Sequence, residues 1–162
     1  MAVLEPGSSL PPLTLQHADG RPASLPSGET LWAFFKSTCP TCELMWPYLD
    51  RLSSMTGDTG AGVVAVSRDN AAETKAVYDR LGVDIPTLYD PPPWNASEAV
   101  RLSNVPTLFL VDERGRIRET IEGFQRAKME ELAARFSARM RRTGPDESFF
   151  RPGESVPALR PG

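Results

Sequence analysis

The sequence predicts an α/β fold with a central mixed β-sheet flanked by helices. Two short apolar runs, residues 31–35 and 62–67, are typical of buried strands, and an amphipathic helix from 40 to about 55 separates them. A strand, helix, strand series of this length favours a right-handed parallel unit. A later hairpin and a final helix complete the pattern, and 162 residues suffice for one domain.

The first 30 residues contain five prolines among several glycines and serines, a composition that disfavours helix. We expect an N-terminal hairpin extension within about residues 10–27. Its strands would be 13–16 and 22–25, joined around Asp19-Gly20, a dipeptide that suits a tight turn. His17 lies on this extension and is interpreted as a surface residue.

The two helices that follow have clear boundary signals. Pro40 lies in the first turn of the first helix, whereas Pro47 lies inside the helix and should bend it. Asn70 can cap the second helix, with Glu73 three residues on and Gly82 as a stop. The apolar face of the first helix consists of Leu44, Met45, Tyr48, Leu49 and Leu52.

After the second helix, Pro91-Pro92-Pro93 excludes regular helix locally, and a short helical stretch is expected from about 95 to 102. Strands 107–111 and 116–121 should form an antiparallel hairpin around the turn 112–115. The last helix is expected from about Arg126 to Arg142. Its apolar stripe consists of Met129, Leu132, Ala133, Phe136 and Met140.

These elements place the folded domain at residues 1–142 and leave a tail at 143–162. The tail contains four prolines and three glycines, which predicts irregular chain that is either mobile or laid across the domain. Phe149-Phe150 favours the second alternative. The sequence contains no internal repeat.

Composition excludes several kinds of partner. A formal charge of −3 gives no basic surface for nucleic acid. Two cysteines and one histidine are too few for an ordinary zinc site or a four-thiolate iron–sulfur cluster. No run approaches the roughly 20 apolar residues of a membrane-spanning helix, and no export signal precedes the domain. The chain as written is therefore expected to be soluble and cytoplasmic, or extracytoplasmic if a signal or anchor was removed.

The chemistry is concentrated in Cys39-Pro40-Thr41-Cys42. Two intervening residues at a helix start put both sulfurs on one turn, within reach of a small-loop disulfide. The unpaired amides and the dipole of the helix N-terminus favour a thiolate at Cys39. Cys39 is therefore the predicted nucleophile, and Cys42, one turn inward, is predicted to resolve the mixed disulfide.

A Cys-x-x-Cys pair also occurs as half of a metal site or as an inert staple. The chain lacks a second half for the metal site, and the pair follows a buried strand and precedes a helix. This context favours redox chemistry.

The motif order then resembles a known family. The chain resembles the thioredoxin-like superfamily over roughly residues 10–140. The shared order is a strand, Cys39-Pro40-Thr41-Cys42, a helix containing Pro47, a second strand and helix, and Val105-Pro106-Thr107 before a hairpin. The N-terminal hairpin, the segments 66–69 and 110–117 and the proline-rich insertion are similar to the bacterial TlpA/ResA type of thiol–disulfide oxidoreductase, a kind of redoxin.

The resemblance implies a thioredoxin-like fold and disulfide reduction or exchange, usually outside the cytoplasm. It also implies that Pro106 is cis beside the disulfide and that Val105 offers backbone hydrogen bonds to a substrate peptide. Pro40 and Thr41 would border the same docking surface. Trp46, just past the cysteines, either lines the groove or packs in the core.

The chain departs from the family pattern at three positions. Thr38 stands where thioredoxins usually have tryptophan, Ala33 where they have a buried aspartate, and Met45 where some extracytoplasmic reductases have a glutamate. The proton-handling carboxylate of the family is thus missing from both expected places. Glu43 is the nearest acidic candidate, although it is also interpreted as an exposed helix-face residue.

The sequence therefore predicts a monomeric enzyme that exchanges dithiols and disulfides with protein substrates. It needs no bound cofactor or metal, because a donor or acceptor protein restores the sulfur pair. A thiol peroxidase is an alternative, but Trp32 and Lys36 occupy the proline and threonine positions of the peroxiredoxin signature. A second alternative is a binding or redox-sensing module without catalysis.

Overall fold

The computed structural model describes residues 2–57, 62–139 and 149–162 of the chain. Strands and helices alternate along most of this part. Their bounds are β1 (Thr30–Phe35), α1 (Pro40–Ser54), β2 (Gly62–Ser67), α2 (Ala71–Leu81), β3 (Thr87–Tyr89), α3 (Asn95–Ala99), β4 (Thr107–Val111), β5 (Ile117–Glu122), β6 (Phe124–Gln125), α4 (Arg126–Arg139) and β7 (Leu159–Arg160).

Five of the strands form one mixed sheet in the order β3-β2-β1-β4-β5. Strands β1, β2 and β3 run parallel, whereas β4 is antiparallel to both β1 and β5. The predicted α/β architecture with a central mixed sheet is confirmed. Because β1 is the middle strand and β4 runs against it, the start of β4 lies beside the end of β1, where Phe34 pairs with Thr107.

The sheet is buried on both faces, as the continuous apolar run of β1 requires. Alternate residues of β1 point to opposite faces. Leu31, Ala33 and Phe35 pack with residues of α1, α2 and α4, and Trp32 and Phe34 pack with the N-terminal segment and α3. Among the described residues, no helix is long and apolar enough to span a membrane.

The local helix signals are confirmed. The Asn70 side chain accepts a hydrogen bond from the Glu73 amide at 2.8 Å, and Gly82 ends α2 in the left-handed conformation. Helix α1 continues through Pro47. Four members of the predicted stripe on α4 are buried, namely Met129, Leu132, Ala133 and Phe136. Met140 and the expected end of α4 at Arg142 lie outside the described residues.

The N-terminal hairpin differs from the prediction. A turn forms where the His17 amide donates to the Arg21 carbonyl at 2.9 Å, and His17 is exposed as expected. The strands 13–16 and 22–25 are reduced to an isolated bridge between Gln16 and Pro22. That bridge uses the amides of His17 and Ala23, whereas the amide and carbonyl of Gln16 itself pair with Tyr89 at the end of β3.

Two other elements differ from their expected bounds. The helical stretch predicted from 95 to 102 ends as α3 at Ala99, and Arg101 takes a positive φ of 57°, which no α-helix continues. Strand β5 begins at Ile117, after an irregularity in its pairing with β4 between Leu110 and Val111.

The described part of the tail, 149–162, packs against the domain. The Phe150 side chain is 4% exposed, and its ring centroid lies 4.8 Å from that of Tyr48. The Arg51 guanidinium donates to the Glu154 carboxylate at 2.6 Å and to the Phe149 carbonyl at 2.7 Å. At its far end, β7 pairs antiparallel with β6.

Candidate active site

The first turn of α1 sets the position of Cys39. This residue is the N-cap, with φ of −96° and ψ of 116°, and its sulfur accepts a hydrogen bond from the Cys42 amide at 3.1 Å. Pro40 occupies the first helical position, where no amide is needed. The sulfur therefore takes the place that a serine or aspartate oxygen takes in an ordinary N-cap.

The Asp69 side chain, just after the neighbouring strand β2, holds the loop that precedes the motif. The Ser37 amide donates to the Asp69 carboxylate at 2.5 Å, and the Arg68 amide donates to the Phe35 carbonyl at 3.2 Å. This role of Asp69 was not predicted from the sequence. It could have been predicted, because parallel strands end at the same edge of a sheet and a polar residue just after β2 therefore lies near the loop after β1.

The surroundings of Cys39 favour its thiolate. A hydrogen bond from the Cys42 thiol is the largest influence that lowers the pKa of Cys39, and the amides of Cys42 and Thr41 add to it. Partial burial opposes them, and the positive charge of Arg160 assists them. Together they lower the pKa of Cys39 to about 6, so the thiolate predominates at pH 7.

The surroundings of Cys42 favour its thiol. Its side chain is 1% exposed, and burial strongly raises the pKa of Cys42. The hydrogen bond that it gives to Cys39 raises this pKa further. Both cysteines are free, so the structure represents the reduced form of the pair.

The loop before β4 brings Val105 and Pro106 to the same place. The peptide bond between them is cis, as the resemblance implies. The Val105 carbonyl oxygen lies 3.5 Å from the Cys39 sulfur, close enough to accept a hydrogen bond from the protonated thiol. The antiparallel pairing of β1 with β4 is what joins residues 66 positions apart.

The other predicted docking residues have different environments. Pro40 is exposed, whereas the Thr41 side chain is buried and its hydroxyl donates to the Pro161 carbonyl at 2.7 Å. The Trp46 side chain is 1% exposed, and its ring centroid lies 4.0 Å from that of Phe35. Trp46 therefore packs in the core and not on the groove, because the face of α1 that carries it points toward the sheet.

The positions of the missing carboxylates are apolar and buried. Ala33 and Met45 both belong to the core cluster beneath α1. Glu43 forms an ion pair with Arg80 on the partly exposed face of the helix. This geometry fits the interpretation of Glu43 as a helix-face residue.

The path of residues 158–162, from β6 to the Cys39-Pro40-Thr41-Cys42 motif, was also not predicted from the sequence. The Arg126 amide donates to the Ala158 carbonyl at 2.9 Å, next to the pairing of β7 with β6. A Cβ atom placed on Gly162 would stand 2.2 Å from the Val105 carbonyl oxygen, so only glycine permits this approach. Nothing in the composition of the tail indicates this path.

Comparison with known proteins gives matches over most of the chain. A family model described as Redoxin matches residues 5–134. The thiol-disulfide oxidoreductase ResA of Geobacillus thermodenitrificans is 28% identical over 124 residues, which cover 72% of this chain and 69% of that protein. ResA of Halalkalibacterium halodurans is 28% identical over 85 residues, or 52% of this chain and 48% of its own length.

A solved structure shows the fold. The thioredoxin domain of a thiol-disulfide oxidoreductase from Bacteroides vulgatus superposes with a TM-score of 0.70 at 21% identity. The match covers 83% of this chain and 99% of that domain. The fold is thus thioredoxin-like, as the order of the motifs implied.

Proposed function

The chain belongs to the Redoxin family, and from that premise we propose that it exchanges dithiols and disulfides with protein substrates through Cys39-Pro40-Thr41-Cys42. At the coarser level it is a thiol–disulfide oxidoreductase of the ResA-like kind. The observation that carries the finer proposal is the position of the Cys39 sulfur. It is an N-cap acceptor 3.1 Å from the Cys42 amide, with a pKa lowered to about 6.

The first step forms a mixed disulfide. The Cys39 thiolate attacks one sulfur of a substrate disulfide, a bond forms between them, and the substrate S–S bond breaks. The electron pair of that bond leaves on the second substrate sulfur, which takes a proton from solvent. The Cys39 thiolate is supplied without a separate base, because the first turn of α1 already stabilises it.

The second step closes the ring. Cys42 loses its proton and attacks the Cys39 sulfur, so the intramolecular disulfide forms and the substrate leaves as a thiolate. Conversion of Cys39 to a neutral disulfide removes its negative charge, one of the influences that raise the pKa of Cys42. Cys42 therefore becomes easier to ionise at the point where it is needed.

The substrate gains two electrons and the protein loses two over these steps, and the same steps in reverse oxidise a substrate dithiol. A donor or acceptor protein restores the starting form. Docking would use the backbone of Val105 and the exposed surface of Pro40, with Thr41 and Pro106, both buried in this structure, directly beside them. We propose these four residues as the substrate contacts nearest the sulfur.

The test combines two substitutions with a protein disulfide such as that of insulin. We expect Cys39→Ser to abolish reduction above the rate of free dithiol, and Cys42→Ser to accumulate a mixed disulfide with the substrate, detectable by mass. Wild-type activity that survives in Cys39→Ser would refute the assignment. Rapid Cys39-dependent consumption of peroxide would support a thiol peroxidase instead, and no turnover at all would support a non-catalytic module.

A further inference from the structure

Residues 158–162 bind the domain in the manner of an added peptide strand. Leu159 and Arg160 pair antiparallel with Gln125 and Phe124, and the Arg126 amide donates to the Ala158 carbonyl at 2.9 Å. Addition of an extended segment to a free strand edge is a general way in which proteins bind peptides. The edge of β6 is therefore a strand-binding surface that is occupied from within the chain.

The same segment continues over the sulfur pair. The Pro161 carbonyl accepts a hydrogen bond from the Thr41 hydroxyl at 2.7 Å, between the two cysteines in sequence. Gly162 lies against the Val105 peptide, where an added Cβ would stand 2.2 Å from the carbonyl oxygen and 3.3 Å from the Pro106 nitrogen. A substrate chain that reached the Val105 backbone would need the space that Gly162 fills.

The two ends of the 149–162 segment are held differently. Near its start, the Phe150 side chain is 4% exposed and the ion pair of Arg51 with Glu154 measures 2.6 Å. Near its end, the side chain of Leu159 is 63% exposed, and residues 160–162 are exposed as well. Backbone hydrogen bonds and the Thr41 contact hold the tip, so it can leave while the start keeps it close to the site.

We propose that residues 158–162 are an internal competitor for protein substrates. The segment occupies the binding surface formed by the edge of β6, Thr41 and Val105, and it must leave this surface before a protein substrate binds. The inference rests on the proposed function and adds regulation of the same site. Because only the fraction of molecules with an open binding surface can bind, the docked segment raises the apparent KM for protein substrates. Its effect on the sulfur chemistry is confined to the small contribution of the Arg160 charge to the pKa of Cys39. A small disulfide that does not use the strand edge is spared this competition.

Two full-length variants test the competition, one with a substitution in the docked segment and one with a substitution in the domain that it contacts. Gly162→Val places its Cβ 2.2 Å from the Val105 oxygen, and Gly123→Asn places a Cβ 2.6 Å from the Arg160 carbonyl oxygen. Asparagine tolerates the φ of 73° at position 123 better than other side chains. Gly62→Ala is the matched control, because a Cβ at Gly62 meets no atom within 4 Å.

The measurement is steady-state reduction of insulin and of hydroxyethyl disulfide. We expect the KM for insulin to fall about fivefold in Gly162→Val and to fall also in Gly123→Asn, since a docked fraction of about four-fifths reduces apparent affinity by that factor. Reduction of hydroxyethyl disulfide should change by less than about twofold in Gly162→Val, the size expected from loss of the Arg160 charge near Cys39. Gly62→Ala should match the wild type with both substrates.

An insulin KM that stays at the wild-type value in both variants would overturn the inference, because neither backbone contact survives an added Cβ. That result would leave the proposed function intact if the wild type reduces insulin through Cys39. If the wild type reduces neither disulfide, the proposed function itself fails. A fall in the hydroxyethyl disulfide KM equal to that for insulin would also overturn it, since competition at the strand edge acts on polypeptides alone.

Discussion

Cys39 and Cys42 mark two contrasting regions of one helical turn. Cys39 lies at the partly exposed start of the helix. A hydrogen bond from the Cys42 thiol, together with the amides of Cys42 and Thr41, lowers its pKa to about 6. Cys42 lies one turn inward with 1% of its surface exposed, and burial raises its pKa. Their reactivity differs because a hydrogen bond from the Cys42 thiol and the amides of the first turn stabilise the Cys39 thiolate, whereas burial disfavours a thiolate at Cys42.

The largest expected effect is a difference in alkylation between the two sulfurs. At pH 7 the reduced protein should react with iodoacetamide at Cys39 on the order of 100-fold faster than at Cys42, because only the thiolate is nucleophilic. A lowered pKa means that the rate at Cys39 rises with pH around pH 6 and is level above it. Peptide mapping by mass across pH 4 to 9 measures both rates, and equal labelling of the two cysteines would contradict the contrast.

A smaller effect is expected when the inner thiol is replaced. Cys42→Ala removes the hydrogen-bond donor that contributes most to the lowered pKa of Cys39, so the alkylation midpoint should move to higher pH. At pH 6 the rate at Cys39 should fall severalfold, since each tenfold loss of thiolate corresponds to one pH unit. The midpoint is measured from the thiolate absorbance at 240 nm as a function of pH, and the alkylation rate is measured at pH 6.

Cys42→Ser is the matched control for that replacement, because its hydroxyl can still donate to the Cys39 sulfur. Its midpoint should lie between those of the wild type and Cys42→Ala. If both variants titrate like the wild type, the amides of the first turn alone account for the low pKa, and the proton on Cys42 plays no part.

The smallest expected effect comes from the positive charge of Arg160, which the tail places near Cys39. Arg160→Gln should raise the pKa of Cys39 slightly, because Arg160 is exposed and its positive charge contributes least among the influences on this thiolate. Less than about a twofold change in alkylation rate at pH 6 is expected at low ionic strength, and about 0.5 M salt should remove it. Arg114→Gln, in the turn at the opposite end of the sheet, should leave the midpoint where it is.

The parts that local rules govern were predictable. The N-cap position of Cys39 depends on the few residues that follow it, and the caps of α2 at Asn70 and Gly82 depend on bonds within one helix. The N-terminal hairpin is present, but it is limited to the bridge between Gln16 and Pro22. Its composition predicts the turn, whereas the pairing of Gln16 with Tyr89, 73 residues away, depends on the tertiary structure.

Local sequence was enough to indicate the chemistry: two cysteines at a helix start, one predicted to ionise and one to resolve. The proximity of Val105 was implied by a family resemblance and not by spacing. Three features depend on long-range packing: Asp69 holds the Ser37 amide, Trp46 packs in the core, and Pro161 contacts Thr41 across 120 positions. Helix capping is settled within four residues of the chain, whereas these contacts depend on the order and direction of strands that are far apart in sequence.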